Sequence, residues 1–122
     1  MSSTKLAESR PLLGTATLQD VINAKAHENR LCELIDGVLV EKAAGFKESV
    51  LATFLIRVLE NFVRASNLGI VTSPDGMMEI SAGLVRIPDV AFVSWARMPG
   101  GKIPDQPIPG LVPDFAVEIL SP

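Results

Sequence analysis

Two carboxylate residues, Asp89 and Glu118, stand in apolar surroundings where an acidic side chain needs a partner. Glu118 interrupts the run 115–120, which otherwise has the pattern of a strand buried on both faces. Removing an ionised carboxylate from water costs several kcal/mol unless a cation, a metal or hydrogen bonds compensate. We therefore expect a compensating group near Glu118, although a solvated sheet face or an arginine partner would account for it equally well.

Asp89 lies between Pro88 and the apolar segment 90–93, at the start of what should be a central strand. Taken alone, an Asp in this place is more often a turn or edge carboxylate. The two acids become more informative if a sheet brings them together, because hard cations such as Mg²⁺ prefer carboxylate oxygens and water. The chain between them is long enough to return to an adjacent strand.

Other polar residues have ordinary explanations. Glu48 falls in the first turn of a predicted helix, where a negative charge is favourable. Glu33 suits the polar face of a hairpin, and His27 suits a helix end. With one His, one Cys and no G-x-S-x-G segment, a nucleophile triad is excluded, and zinc clusters and phosphate-binding loops are absent. Carboxylate–metal chemistry or binding remains.

The composition indicates one small domain with an aliphatic core. The chain has 122 residues, of which 48% are hydrophobic, 20% charged and 5% aromatic. A net charge of -3 and a pI near 5.1 argue against non-specific coating of nucleic acid, although a local basic groove stays open. Cys32 is the single cysteine, which favours a reducing, cytoplasmic compartment. No apolar run approaches the ~18 residues of a membrane span, and no signal peptide is recognisable.

The elements that must position these residues follow from periodicity and turn signals. Residues 1–16 read as a flexible lead-in, followed by one α/β domain without βαβ regularity. The predicted elements are a helix over 18–28 capped by Thr17, strands over 31–35 and 38–42 joined by a type I′ turn at Asp36-Gly37, a helix over 46–65 with a broad apolar face, consecutive strands over 70–73, 77–81 and 88–95, a proline-rich surface loop over 96–113 and a strand over 115–120.

Three segments taken together carry a resemblance. The sequences ELIDGVLVE at 33–41, PDVAFV at 88–93 and PDFAVEILSP at 113–122 resemble the Uma-two family of restriction endonucleases, common in bacteria, over about 17–122. That family is similar to the PD-(D/E)XK nucleases, which implies a restriction-endonuclease-like core of a mixed sheet flanked by helices. The resemblance implies DNA cleavage with Mg²⁺ held by Asp89 and Glu118. It also implies that Glu48 helps to position the metal or its waters.

The sequence departs from that pattern at Leu120, which occupies the place of the lysine in E-x-K. The resemblance implies that a lysine further along, on a helix after Ser-Pro, takes that place. Residues 17–122 would then be the N-terminal and central part of the domain. In-chain substitutes are Lys42, Lys47 and Lys102, none supported by a motif.

Alternatives remain open. A catalytically inactive nuclease-fold module could bind nucleic acid or a protein partner, with contacts from Arg57, Arg64, Arg86, Arg97 and Lys102, although ordinary solubilising charge explains these residues more simply. The spacing Pro104-x-x-Pro107 could be a docking segment, but a plain loop is the simpler interpretation. The sequence also leaves a homodimer open.

Overall fold

The computed structural model describes residues 11–120, so the predicted lead-in over 1–16 lies mostly outside the described residues. Within this range the chain forms two α-helices, seven strands and two short 3-10 turns. In order they are α1 (Leu18–Glu28), β1 (Cys32–Ile35), β2 (Val38–Glu41), α2 (Phe46–Ala65), β3 (Gly69–Thr72), β4 (Met78–Ser81), β5 (Leu84–Arg86), β6 (Val90–Ser94), the turns Trp95–Arg97 and Pro99–Gly101, and β7 (Phe115–Val117). The predicted α/β class is confirmed.

The first sheet has the strand order β2-β1-β5-β4, and all of its pairs are antiparallel. Its hairpin β1–β2 turns at Asp36 and Gly37, which have φ angles of 51° and 72°. Positive φ at both central residues defines the type I′ turn, whose twist matches that of the flanking strands. The predicted hairpin is confirmed.

Helix α1 begins and ends where the sequence predicts. The backbone N–H of Thr17 donates to Asp20 Oδ2 at 2.8 Å, which satisfies a group that the helix itself leaves unpaired. The helix ends at Asn29, whose φ of 51° is left-handed. Its buried side chains are Val21 and Ala24, and Val21 joins a core cluster beneath the first sheet.

Helix α2 has the predicted bounds, but most of its apolar face is in contact with solvent. Only Ala52 and Val63 are buried, and the helix packs on β3 and β6. The exposed large apolar side chains of α2 are Phe46, Val50, Leu51, Phe54, Val58 and Phe62. None of the helices over residues 11–120 is long and apolar enough to cross a lipid bilayer.

The second sheet has the order β3-β6-β7 and is also antiparallel, with β6 in the centre as predicted. Two expectations are corrected. The segments 70–73 and 77–81 are not neighbouring strands, because β3 and β4 belong to different sheets. The segment before Pro88 forms β5, which pairs with β4 across a turn at Gly83, where φ is 73°. The chain thus crosses from one sheet to the other within residues 87–89.

The expectation that 115–120 is buried on both faces is wrong. β7 is an edge strand of three residues, Phe115 is 52% exposed, and Glu118 is exposed. The proline-rich loop 96–113 contributes to the hydrophobic core. Ile108 is buried in the cluster that contains Val21, and Met98 and Leu111 are buried in a second cluster. The surface loop predicted from its prolines and glycines is therefore only partly exposed.

Asp114 holds β7 against the far end of β6. Its Oδ1 accepts the N–H of Ser94 at 2.7 Å, and its Oδ2 lies 3.1 Å from Ser94 Oγ and 3.2 Å from Nε of Arg97. Its own N–H donates to the carbonyl of Phe92 at 2.9 Å. The bond from the Ser94 N–H, helped by the Ser94 hydroxyl and Arg97, outweighs burial and lowers the pKa of Asp114.

We expect Asp114→Asn to destabilise the protein by about 1 kcal/mol at pH 7, the usual net value of a hydrogen bond. A lowered pKa in the folded state contributes stability above the unfolded pKa, and this contribution is lost as the pH falls through the folded pKa. The difference in the free energy of unfolding between Asp114→Asn and wild type should therefore shrink when the pH falls below about 4. Urea unfolding at both pH values measures it, with the exposed Asp105→Asn as control. If the two proteins differed in unfolding free energy by the same amount at neutral and at acidic pH, the Asp114 charge would have no stabilising role.

Candidate active site

The start of β6 and the end of β7 meet at one end of the second sheet. Val90 lies opposite Val117 at the end of this antiparallel pair, and the backbone N–H of Asp89 donates to the carbonyl of the same Val117 at 3.0 Å. Glu118 follows Val117 directly, and both carboxylates border one cleft. The charge of Asp89 also acts on Glu118, so the two acids lie together.

Both carboxylate oxygens of Asp89 are engaged. Oδ2 accepts the backbone N–H of Ile119 at 2.6 Å, and Oδ1 forms an ion pair with Nζ of Lys42 at 2.8 Å. The side chains of Asp89 and Lys42 are only 15% and 12% exposed. Burial by itself would raise the pKa of Asp89, but Lys42 and the Ile119 N–H together outweigh it and lower the pKa. Asp89 is therefore ionised at neutral pH.

The pKa of Glu118 is shifted in the opposite direction. Although the residue is exposed, protein around its carboxyl group displaces water, and this burial raises its pKa. The positive charge of Lys42 opposes the shift. The carboxylates of Asp89 and Glu33 add to the rise, while Arg86 acts against it. A further cation beside Glu118 would favour its ionised form.

Glu48 approaches the same place from the first turn of α2. The helix begins after Gly45, whose carbonyl accepts the N–H of Ser49 at 3.0 Å. The carboxylate of Glu48 folds back so closely that a Cβ at Gly45 would lie 2.1 Å from Oε1 of Glu48. The missing side chain at Gly45 thus leaves room for this carboxylate at the helix N-terminus, where negative charge is favourable.

Glu33 belongs to the site as well, and sequence reasoning assigned it only to the polar face of the hairpin. Its Oε2 accepts the backbone N–H of Ile87 at 2.7 Å and lies 3.2 Å from Nε of Arg86. The flanking buried residues Cys32 and Leu34 indicate the face of Glu33 by alternation. They do not reveal the partners, which are more than 50 positions away in the chain.

These side chains border one cleft of about 250 Å³ between the hairpin, the start of α2 and the ends of β6 and β7. A second groove of about 470 Å³, bordered also by α1, shares part of this lining. We call the first space the acidic cleft. Its described lining consists of Glu33, Glu41, Lys42, Ala43, Ala44, Gly45, Glu48, Asp89, Glu118 and Ile119.

Among the three lysines considered as substitutes, only Lys42 borders the acidic cleft. Its ammonium donates to the carbonyl of Ile87 at 2.6 Å in addition to its ion pair with Asp89. Lys47 and Lys102 are exposed and are not part of the lining. The sequence carries no signal for Lys42, because its partners Ile87 and Asp89 are at least 45 positions away in the chain.

The donor set can be tested against Mg²⁺. Over residues 11–120 no group of three or more His, Cys, Asp or Glu side chains is arranged to hold a metal ion. Mg²⁺ is commonly held by one or two carboxylates and keeps several waters, so a closed cage of protein ligands is not required. Asp89 and Glu118 therefore fit a hydrated Mg²⁺, and Glu48 and Glu33 border the same cleft.

The basic residues proposed for a binding module mostly have local partners. Arg86 pairs with Glu33, as described above. The guanidinium of Arg57 lies 5.4 Å from the ring centre of Phe54. The remaining contacts are those of Arg64 with Glu60 and of Arg97 with Asp114. These residues lie on several elements and form no continuous stripe along one helix or strand.

Three comparisons with known proteins bear on this site. The family model described as "Uma2: Putative restriction endonuclease" matches residues 18–122. A search of the curated proteins found no match. A crystal structure from Anabaena variabilis, described as "a putative nuclease belonging to DUF820", superposes with a TM-score of 0.70 at 23% identity. The match covers 91% of this chain and 59% of that one, and it confirms the restriction-endonuclease-like fold.

The close approach of Gly45 to Glu48 gives a test of how the cleft is built. We expect Gly45→Ala to move the Glu48 carboxylate outward at a cost below about 0.5 kcal/mol, because the obstructing atom ends a flexible side chain and φ at residue 45 is -148°. Carboxyl-detected NMR should show a shifted Glu48 signal. Gly110→Ala, where a Cβ meets nothing within 4 Å, is the matched control. A large loss of stability in Gly45→Ala would contradict this account.

Proposed function

The chain belongs to the Uma2 family, and on that basis we propose that it is a Mg²⁺-dependent DNA endonuclease domain that hydrolyses phosphodiester bonds. The observation that carries the proposal is that Asp89 and Glu118, next to the paired ends of β6 and β7, border the acidic cleft together with Glu48. Two carboxylates bordering one cleft are suited to holding a hydrated divalent cation. The chain spans 59% of the related crystal structure, so the activity proposed is that of the domain to which it contributes.

The protein groups divide the work between binding and orientation. Asp89 offers oxygen lone pairs, and its bond from the Ile119 N–H fixes the plane of its carboxylate. Glu118 offers a second carboxylate across the strand pair, and Glu48 can accept hydrogen bonds from waters in the cleft. When held by these carboxylates, Mg²⁺ would supply a Lewis acid and would lower the pKa of a coordinated water. Reaction requires that these groups be placed before substrate arrives.

One observation favours a competing function, a nuclease-fold module that binds without cleaving. Both oxygens of Asp89 already have protein partners, and the described residues contain no group of three or more His, Cys, Asp or Glu side chains arranged to hold a metal ion. A domain with this arrangement could retain nucleic acid through its scattered arginines alone. The two functions differ in their dependence on Mg²⁺ and on the charge of Asp89.

Cleavage of supercoiled plasmid and of short duplex DNA by the purified protein in its full length distinguishes them. We expect cleavage in Mg²⁺ and none in EDTA. Asp89→Asn and Glu118→Gln should each lower the rate by about 100-fold or more, since each removes one metal-binding charge at nearly constant shape. Product formation on gels and Mn²⁺ titration of the same variants provide the measurements.

The control is Asp105→Asn, an exposed acid outside the acidic cleft, which should cleave like wild type. DNA retention in EDTA, without Mg²⁺-dependent cleavage and without loss in Asp89→Asn, would instead support the binding module. A cytoplasmic location and a homodimer stay predictions from the sequence.

A further inference from the structure

The position of Lys42 is fixed by the hairpin. Its backbone N–H donates to the carbonyl of Leu31 at 2.8 Å, which continues the ladder one pair beyond Cys32 and Glu41. Side chains alternate between faces along a strand, so the type I′ turn that sets the register also sets the direction of Lys42. A slip of one residue would point this lysine away from the second sheet.

The ammonium of Lys42 is held at the acidic cleft, and not all of its N–H donors are used there. It has three N–H donors, and two of them are used by the Ile87 carbonyl at 2.6 Å and by Asp89 Oδ1 at 2.8 Å. The side chain is 12% exposed, so its four-carbon stem is restrained by surrounding protein. Among the contacts of the described residues, the third donor has no partner and can meet an oxygen of a bound anion.

The charges around the acidic cleft make such a cation necessary for a phosphate ligand. The described lining contains five acids and one basic residue, Lys42. A phosphodiester is an anion, and a cleft bordered by carboxylates repels it. A divalent cation would offset part of this repulsion, and Lys42 is placed to offset more.

Among the described residues, the other basic groups considered are less well placed. Arg86 pairs with Glu33 and its side chain is 42% exposed. Lys47 and Lys102 are exposed and do not border the cleft. Leu120, two positions after Glu118, is 88% exposed and carries no charge.

We propose that Lys42 is a catalytic residue that donates a hydrogen bond to a non-bridging oxygen of the substrate phosphate. In the reaction the oxygen of water bonds to phosphorus, and the bond from phosphorus to the leaving oxygen breaks with its electron pair. One proton of the water ends on the leaving oxygen and the other on the phosphomonoester. Lys42 stays protonated throughout and stabilises the negative charge of the transition state. This inference rests on the proposed nuclease function.

The test compares Lys42→Gln with wild type. Glutamine keeps an N–H donor for Ile87 or Asp89 but has no charge, which limits the damage to the fold. Lys47→Gln, the same change at an exposed lysine, is the matched control, and Lys42→Arg restores the charge. Three quantities are measured for each protein: the DNA cleavage rate in Mg²⁺, the Mn²⁺ dissociation constant by calorimetry and the thermal midpoint by circular dichroism.

We expect Lys42→Gln to lose about 100-fold or more in cleavage rate while binding Mn²⁺ as well as wild type or more tightly. Binding should not weaken, because the change removes a positive charge beside a metal ligand. Lys42→Arg should recover at least about tenfold of the lost rate, and Lys47→Gln should match wild type.

Two results would overturn the proposal while leaving the nuclease function intact. One is cleavage by Lys42→Gln within about threefold of wild type. The other is a parallel loss of Mn²⁺ affinity and cleavage, which would show that Lys42 acts only by holding Asp89. Absence of Mg²⁺-dependent cleavage in wild type would contradict the proposed function itself, and with it this role of Lys42.

Discussion

The carboxylate of Asp89 joins the two sheets beside the acidic cleft. One of its oxygens receives the ammonium of Lys42 from the end of the first sheet, and the other receives the N–H of Ile119 beyond the last strand. A charge so little exposed is tolerated only with such partners, and removing either would leave an uncompensated buried group. The ion pair therefore holds the hairpin beside the β6–β7 pair at the acidic cleft. The acidic cleft exists because those two units meet there.

Much of the fold could be predicted because its signals are local. The Asp36-Gly37 turn and both helices depend on residues close together in sequence, and the structure has them where the pattern places them. The division of the strands between two sheets could not be predicted, since strand pairing is decided by contacts between distant segments. For the same reason the pattern of 115–120 wrongly predicts a buried strand, because apolar composition does not reveal that β7 lies at an edge.

The candidate site shows the same limit at the level of single residues. The dipeptide Pro-Asp occurs four times, at 74–75, 88–89, 104–105 and 113–114, and at 88–89 and 113–114 it directly precedes an apolar strand. Asp89 borders the acidic cleft, whereas Asp114 accepts a hydrogen bond from Ser94 at the opposite end of the β6–β7 pair. Motif order indicated Asp89, and the structure has it with Glu118 at the acidic cleft. Lys42 and Glu33 had no such signal, because Arg86 and Ile87 become their neighbours only when β5 pairs with β1, between segments 45 to 54 positions apart.

The exposed apolar face of α2 also affects how the stability of this protein varies with temperature. The large side chains along that face, Phe54 and Phe62 among them, are already hydrated in the folded state. Unfolding therefore exposes less new apolar surface than in a domain of similar length with a fully covered helix. The heat-capacity change of unfolding scales with that newly exposed surface. The stability curve should accordingly be broad and shallow, with a weak response to both cooling and denaturant.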